Sequence, residues 1–135
     1  LGGLSIWVVG RQFPDARDFW DGNWLVLRAR MEAPGATVQC EGPFLMASDV
    51  ERFRNELAAA SETLAGEATL GSVEPNLTVK LEVRRLGQVT GEVEITPEHL
   101  SQFHRFTLEL DQSYLPAMVD SCDALLDRFP VLGTP

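Results

Sequence analysis

Leu77-Thr78-Val79-Lys80-Leu81-Glu82-Val83 decides the fold class of this chain. Apolar residues take every odd position and polar residues every even one, the period of a strand with one face buried and the other in water. Such a strand needs cover on one side only. The pattern recurs on both sides of it. Val89, Val93 and Ile95 alternate with Thr90, Glu92, Glu94 and Thr96, and Pro97 ends that run. Over residues 101–110, His104, Phe106, Leu108 and Leu110 share one face, with Phe103, Arg105, Thr107 and Glu109 opposite. Upstream, Leu25, Leu27, Ala29 and Met31 alternate with Val26, Arg28 and Arg30, and Val38 and Cys40 alternate with Thr37, Gln39 and Glu41. Ala33-Pro34-Gly35 between these two runs is turn chemistry, so they form a hairpin. Residues 4–9 are apolar at nearly every position and read as a buried strand, and residues 66–73 as a weaker one.

Two segments change period. Ser48-Asp49-Val50-Glu51 reads as a capping box, after which Val50, Phe53, Leu57, Ala60 and Leu64 recur at helical spacing. Glu51, Arg52, Arg54, Asn55, Glu56 and Glu62 occupy the other side, and Gly66 fits the left-handed position past the helix end. A second helix is predicted over 113–129, with Ser113 as N-cap and Pro116 in the first turn. Its stripe is Leu115, Met118, Val119, Cys122, Leu125, Leu126 and Phe129, and Pro130 stops it. The order βββ-α-ββββ-α predicts an α+β two-layer domain: a largely antiparallel sheet of about 6–7 strands with two helices on one face. The other face is then open and polar, presenting residues such as Arg28, Glu41, Lys80, Glu82, Arg84, Glu92 and Glu94. The 135 residues suit a single domain spanning 1–135.

Twenty acidic residues against eleven basic ones give a formal net charge of -9. Nucleic acid requires a basic footprint, and anionic membranes attract basic surfaces, so neither is expected as a partner. A basic protein is the partner such a charge would steer. No run of about 18 apolar residues is present to span a membrane. The chain opens Leu1-Gly2-Gly3-Leu4-Ser5, without methionine and without the pattern of a signal peptide, so its natural start is expected to lie upstream or to have been replaced. Cys40 and Cys122 lie on apolar faces and are expected to be free, buried thiols.

Catalytic chemistry leaves no signature. His99 and His104 do not stand at a metal-ligand spacing, and the cysteines form no Cys-x-x-Cys pair. His104 shares its face with Phe106 and Leu108 and reads as a core histidine. No nucleophile elbow or phosphate-cradling glycine loop occurs. Asp15, Asp18 and Asp21 do not match an EF-hand spacing and are set among bulky aromatics. No catalytic residue, metal site or cofactor is therefore assigned, and the chain is not expected to be an enzyme.

Phe13-Pro14-Asp15-Ala16-Arg17-Asp18-Phe19-Trp20-Asp21-Gly22-Asn23-Trp24 is the one segment that calls for a functional account. It holds two of the three tryptophans and two of the seven phenylalanines, mixed with three acids. It connects two strands, and loops are usually polar surface. Either it folds back as a lid on the core, or it meets a partner. On the second reading Asp15, Asp18, Phe19, Trp20, Asp21 and Trp24 are the partner-binding residues, with Trp20 the anchor: aromatics supply hot spots and acids steer a basic protein.

The run Asp18-Phe19-Trp20-Asp21-Gly22-Asn23-Trp24-Leu25 resembles a segment of small bacterial proteins of the WapI-type immunity family. Phe53-Arg54-Asn55-Glu56-Leu57 and the stretch from Leu108 to Pro116 are similar to the same family, so the resemblance covers nearly the whole chain. It implies a cytosolic protein that binds and neutralises the toxic C-terminal domain of a contact-dependent or secreted toxin. Many such toxins act on nucleic acid and would be basic, which suits an acidic partner. No binding residues carry over. The other class left open by the residues is a small-ligand-binding protein or enzyme using a pocket between sheet and helices.

Overall fold

The computed structural model describes residues 2–135 and is α+β. Its elements are β1 (Leu4–Arg11), a one-turn helix α1 (Phe19–Gly22), β2 (Trp24–Ala33), β3 (Ala36–Met46), α2 (Ala47–Thr63), β4 (Gly66–Leu70), β5 (Leu77–Val83), β6 (Gln88–Ile95), β7 (Arg105–Asp111) and α3 (Leu115–Arg128). All strand pairings are antiparallel. The strands divide into two hydrogen-bonded sheets, ordered β1-β2-β3 and β4-β5-β6-β7. The division has a local cause. β3 runs straight into α2 at Met46–Ala47, and β4 begins the second sheet after that helix.

The alternating patterns set the register. In β5, Leu77, Val79, Leu81 and Val83 face inward opposite Ile95, Val93, Gly91 and Val89 of β6, while Thr78, Lys80 and Glu82 stand outward opposite Glu94, Glu92 and Thr90. Ala33 and Ala36 close the β2–β3 hairpin around Pro34 and Gly35. Gly35 holds φ +79, a conformation open to glycine and costly for a side chain. The inner faces of both sheets, α2 and α3 share one core cluster, which includes Leu25, Leu27, Phe53, Leu57, Leu77, Leu81 and Leu115. Fully burying each such side chain contributes roughly 1.5–3 kcal/mol.

Four expectations need correction. Helix α2 starts one residue before Ser48, and Asp49 is the capping acid: its carboxylate accepts the Met46 N–H at 2.8 Å. Asp49 is buried there and pairs with Arg52 at 3.1 Å. At the other end Leu64, not Gly66, takes the left-handed cap with φ 55, and its side chain turns to solvent. Helix α3 is preceded by a short 3₁₀ turn, Gln112–Tyr114, capped by Asp111, which accepts the Ser113 N–H at 2.8 Å; Ser113 is therefore not its N-cap. Finally, β1 is not buried on both sides. Leu4, Ile6 and Val8 turn inward, but Trp7 is 51% exposed and Val9 59%. β1 is covered on one face only, so its continuous apolar run overstates its burial.

Helix α3 sits more loosely than α2. Leu115 is its one fully buried residue, and Met118, Val119, Cys122, Leu125, Leu126 and Phe129 are half-buried. It is tied to α2 by Arg54, whose Nε donates to Asp123 Oδ1 at 2.8 Å. That pair raises the Arg54 pKa, through the hydrogen bond first and the charge second.

Candidate functional site

The acidic-aromatic segment is a structured projection held from beneath. Asp18 starts α1: its carboxylate accepts the Asp21 N–H at 3.0 Å, and its carbonyl accepts the Gly22 N–H at 2.9 Å. An aspartate three residues ahead of an amide that needs a partner is ordinary N-cap chemistry, and it is the signal by which α1 could have been read from the sequence. Ala16 N–H donates to the Phe13 carbonyl at 3.1 Å and Arg17 Nη1 to the Pro14 carbonyl at 3.0 Å, which folds the preceding turn. Gly22 is packed so closely that a Cβ there would lie 3.1 Å from the Ala16 carbonyl oxygen.

Asn23 is the anchor that sequence reasoning missed. It reads as a turn residue, yet its side chain is fully buried. Its Nδ2 donates to the carbonyls of Phe19 at 2.8 Å and Leu132 at 2.9 Å, while its Oδ1 accepts the Leu132 N–H at 2.8 Å. Its own carbonyl accepts the Ala47 N–H at 2.8 Å. One side chain thus joins the end of α1 to the C-terminal segment, and its backbone joins both to the start of α2. Arg11 adds a second clamp, donating to the carbonyls of Gly22 at 2.7 Å and Pro130 at 2.6 Å. Partial burial lowers the Arg11 pKa, and the positive charge of Arg17 lowers it further.

On this base the aromatics divide. Phe19 and Trp24 are half-buried. Phe13 is exposed, and Trp20 is 61% exposed, supported only on its edge by Phe19 in a T-shaped contact with centroids 5.0 Å apart. Asp15, Asp18 and Asp21 are all exposed. Among the described residues no ion pair engages any of them. Half-burial of Phe19 and Trp24 suits a lid, whereas the exposure of Trp20 and Phe13 suits a contact surface.

The other chemistry-bearing residues are dispersed. His99 is exposed; His104 is half-buried just ahead of β7, its Nε2 3.2 Å from Gln102 Oε1. Cys40 is buried and Cys122 half-buried, both free, and burial pushes each thiol up to about 11. Thiols so shifted are poor nucleophiles at neutral pH. Among the described residues no group of three or more His, Cys, Asp or Glu is placed to hold a metal ion. None of their helices is long and apolar enough to cross a membrane. The outer face of the four-stranded sheet is polar, with Arg84 paired to Glu82 at 3.2 Å and Arg105 to Glu92 and Glu94 at 3.3 and 3.4 Å.

A model of the immunity protein WapI-like family matches residues 1–130 of this chain. Among curated proteins none matches. Among solved structures, a chain of the CdiA-CT/CdiI toxin and immunity complex from Enterobacter cloacae is similar with 11% identity and a TM-score of 0.48, over 90% of this chain and 99% of that one.

Proposed function

The chain belongs to the immunity protein WapI-like family, and on that premise we propose that it binds a toxin domain in the bacterial cytosol and neutralises it by occupying its surface rather than by catalysis. The observation that carries the binding site is Trp20: a tryptophan 61% exposed on a segment braced by buried hydrogen bonds. A large aromatic held rigidly in water loses little conformational entropy on binding and buries much area, which is how interface anchors work. Asp15, Asp18 and Asp21 on the same segment are exposed and engaged in no ion pair among the described residues, and the chain as a whole carries -9. A basic toxin domain is the partner such a surface attracts. Phe19 then supports the anchor at its edge, while Trp20, Asp15 and Asp21 make the contact.

The test is co-purification from the native cell with identification of any stoichiometric partner, followed by reconstitution of the pair. A one-to-one complex in which the partner's toxic activity is lost is expected. Recovery of the chain with no protein partner, together with turnover of a small molecule, would favour an enzyme acting in the pocket between sheets and helices.

A further inference from the structure

An apolar cleft of about 420 Å³ lies between β1 and α3. Its floor is buried core, including Leu25 and Phe53; its mouth is formed by half-buried Ile6 and Val8 on β1 and by exposed Ala117 and Ser121 on α3. The volume falls within the roughly 300–1,000 Å³ of ordinary binding pockets. The strand beside the cleft is also the free edge of the three-stranded sheet. The Glu32 N–H donates to the Gly3 carbonyl at 3.0 Å, and this fixes the parity of the ladder. Ser5 and Trp7 exchange hydrogen bonds with β2 opposite Arg30 and Arg28, so the backbone N–H and C=O groups of Ile6 and Val8 point away from the sheet. A bulge between Val8 and Gly10 ends the regular edge. Exposed edges are normally defended by lysine, proline or an inward charge. β1 carries none of these before Arg11.

We infer that this edge is a docking site for an extended segment of the protein partner, with apolar side chains at every second position. Its backbone pairs with Ile6 and Val8, and the side chains alongside them enter the cleft. Strand addition places residues paired with Ile6 and Val8 on the same face as those two, which is the face the cleft underlies. A small apolar molecule would fill the cleft and leave the edge unpaired. A second copy pairing β1 with β1 would satisfy the edge but bring only inward side chains already turned to their own core and cleft, Leu4 being 4% exposed and Ile6 and Val8 half-buried. The inference rests on the immunity reading only for the partner being a protein, and it concerns a surface separate from Trp20.

The site is tested on the full chain by NMR and amide hydrogen exchange. The probe is a blocked peptide of about eight residues alternating valine and lysine, long enough to span the edge, with a serine–lysine peptide as control. The expected result is slowed exchange at the Ile6 and Val8 amides with shifts in the Met118 and Leu125 methyls for the valine peptide, and neither for the control. Val8→Pro, which removes one edge donor at a position where proline is tolerated, should weaken peptide binding about tenfold. Ala117→Trp, which fills the cleft from the α3 side and leaves the backbone edge of β1 unaltered, should do the same. Absence of binding, binding without change at Ile6 and Val8, uptake of an apolar dye alone, or dimerisation through β1 would each overturn the site. None of those results touches a stoichiometric toxin complex. Loss of that complex with peptide still bound at β1 would remove the immunity reading and keep the site.

Discussion

Asn23 and Leu132, at opposite ends of the sequence, are joined by two reciprocal hydrogen bonds: Asn23 Nδ2 donates to the Leu132 carbonyl at 2.9 Å, and the Leu132 N–H donates to Asn23 Oδ1 at 2.8 Å. Removing the side chain strands part-buried backbone groups of Leu132 and Phe19. Asn23→Ala should therefore cost about 2–4 kcal/mol in chemical denaturation. Asn23→Asp keeps the acceptor and turns the donor into a carboxylate facing two carbonyl oxygens, which favours the protonated form in the folded state. A raised folded pKa means the variant is most stable below the unfolded value of about 4 and loses stability as pH rises. Equal stability of this variant at acid and neutral pH would contradict the clamp.

The two helices should respond unequally to truncation. Leu57 on α2 is fully buried, so Leu57→Ala should cost about 3–5 kcal/mol. Leu126 on α3 is half-buried, so Leu126→Ala should cost about 1–2 kcal/mol. Denaturation midpoints of both variants check the ranking.

The thiols should label slowly and in order. Both are raised to about 11 by burial, so reaction in each case should accelerate with pH up to that value. Cys122, half-buried at the cleft, should react before Cys40, which is buried in the three-stranded sheet. Thiol titration of the folded protein with a pH series measures both, and an intact disulfide by mass would refute the assignment.

Asp111 should titrate below the ordinary aspartate range, because the Ser113 hydroxyl, and then the Ser113 N–H, hydrogen-bond to it. A depressed folded pKa contributes stability above the unfolded value of about 3.9, which is lost as pH falls through the folded one. Ser113→Ala removes the larger contribution and should shift the Asp111 titration, followed by NMR, upward.

The strand content was legible because one-sided strands carry their burial in their alternation. β5 begins and ends where its pattern does, and Val38 and Cys40 turn inward as their spacing requires. The ends of the helices were less legible, because Ser48 and Asp49 are adjacent and both can cap; α2 begins at Ala47, and Asp49 is the one that accepts the Met46 N–H. Trp7 misled because an edge strand has the composition of a buried one. Asn23 was invisible as an anchor because its partner Leu132 lies 109 residues away. The cleft depends on how deeply α3 seats, and a continuous apolar stripe does not encode depth.

The loop charges predict kinetics. Asp15 and Asp21 accept no side-chain hydrogen bond that holds the loop, whereas Asp18 caps α1. Asp15→Lys with Asp21→Lys should mainly slow association with a basic toxin domain, and the effect should shrink with salt. Stopped-flow rates at two ionic strengths check this.

The most direct measurement is Trp20→Ala, followed both by unfolding and by affinity for the co-purified toxin domain. An exposed anchor predicts a stability change within about 1 kcal/mol and an affinity loss of about 2 kcal/mol or more. A large loss of stability with affinity unchanged, after correction for the unfolded fraction, would contradict the account.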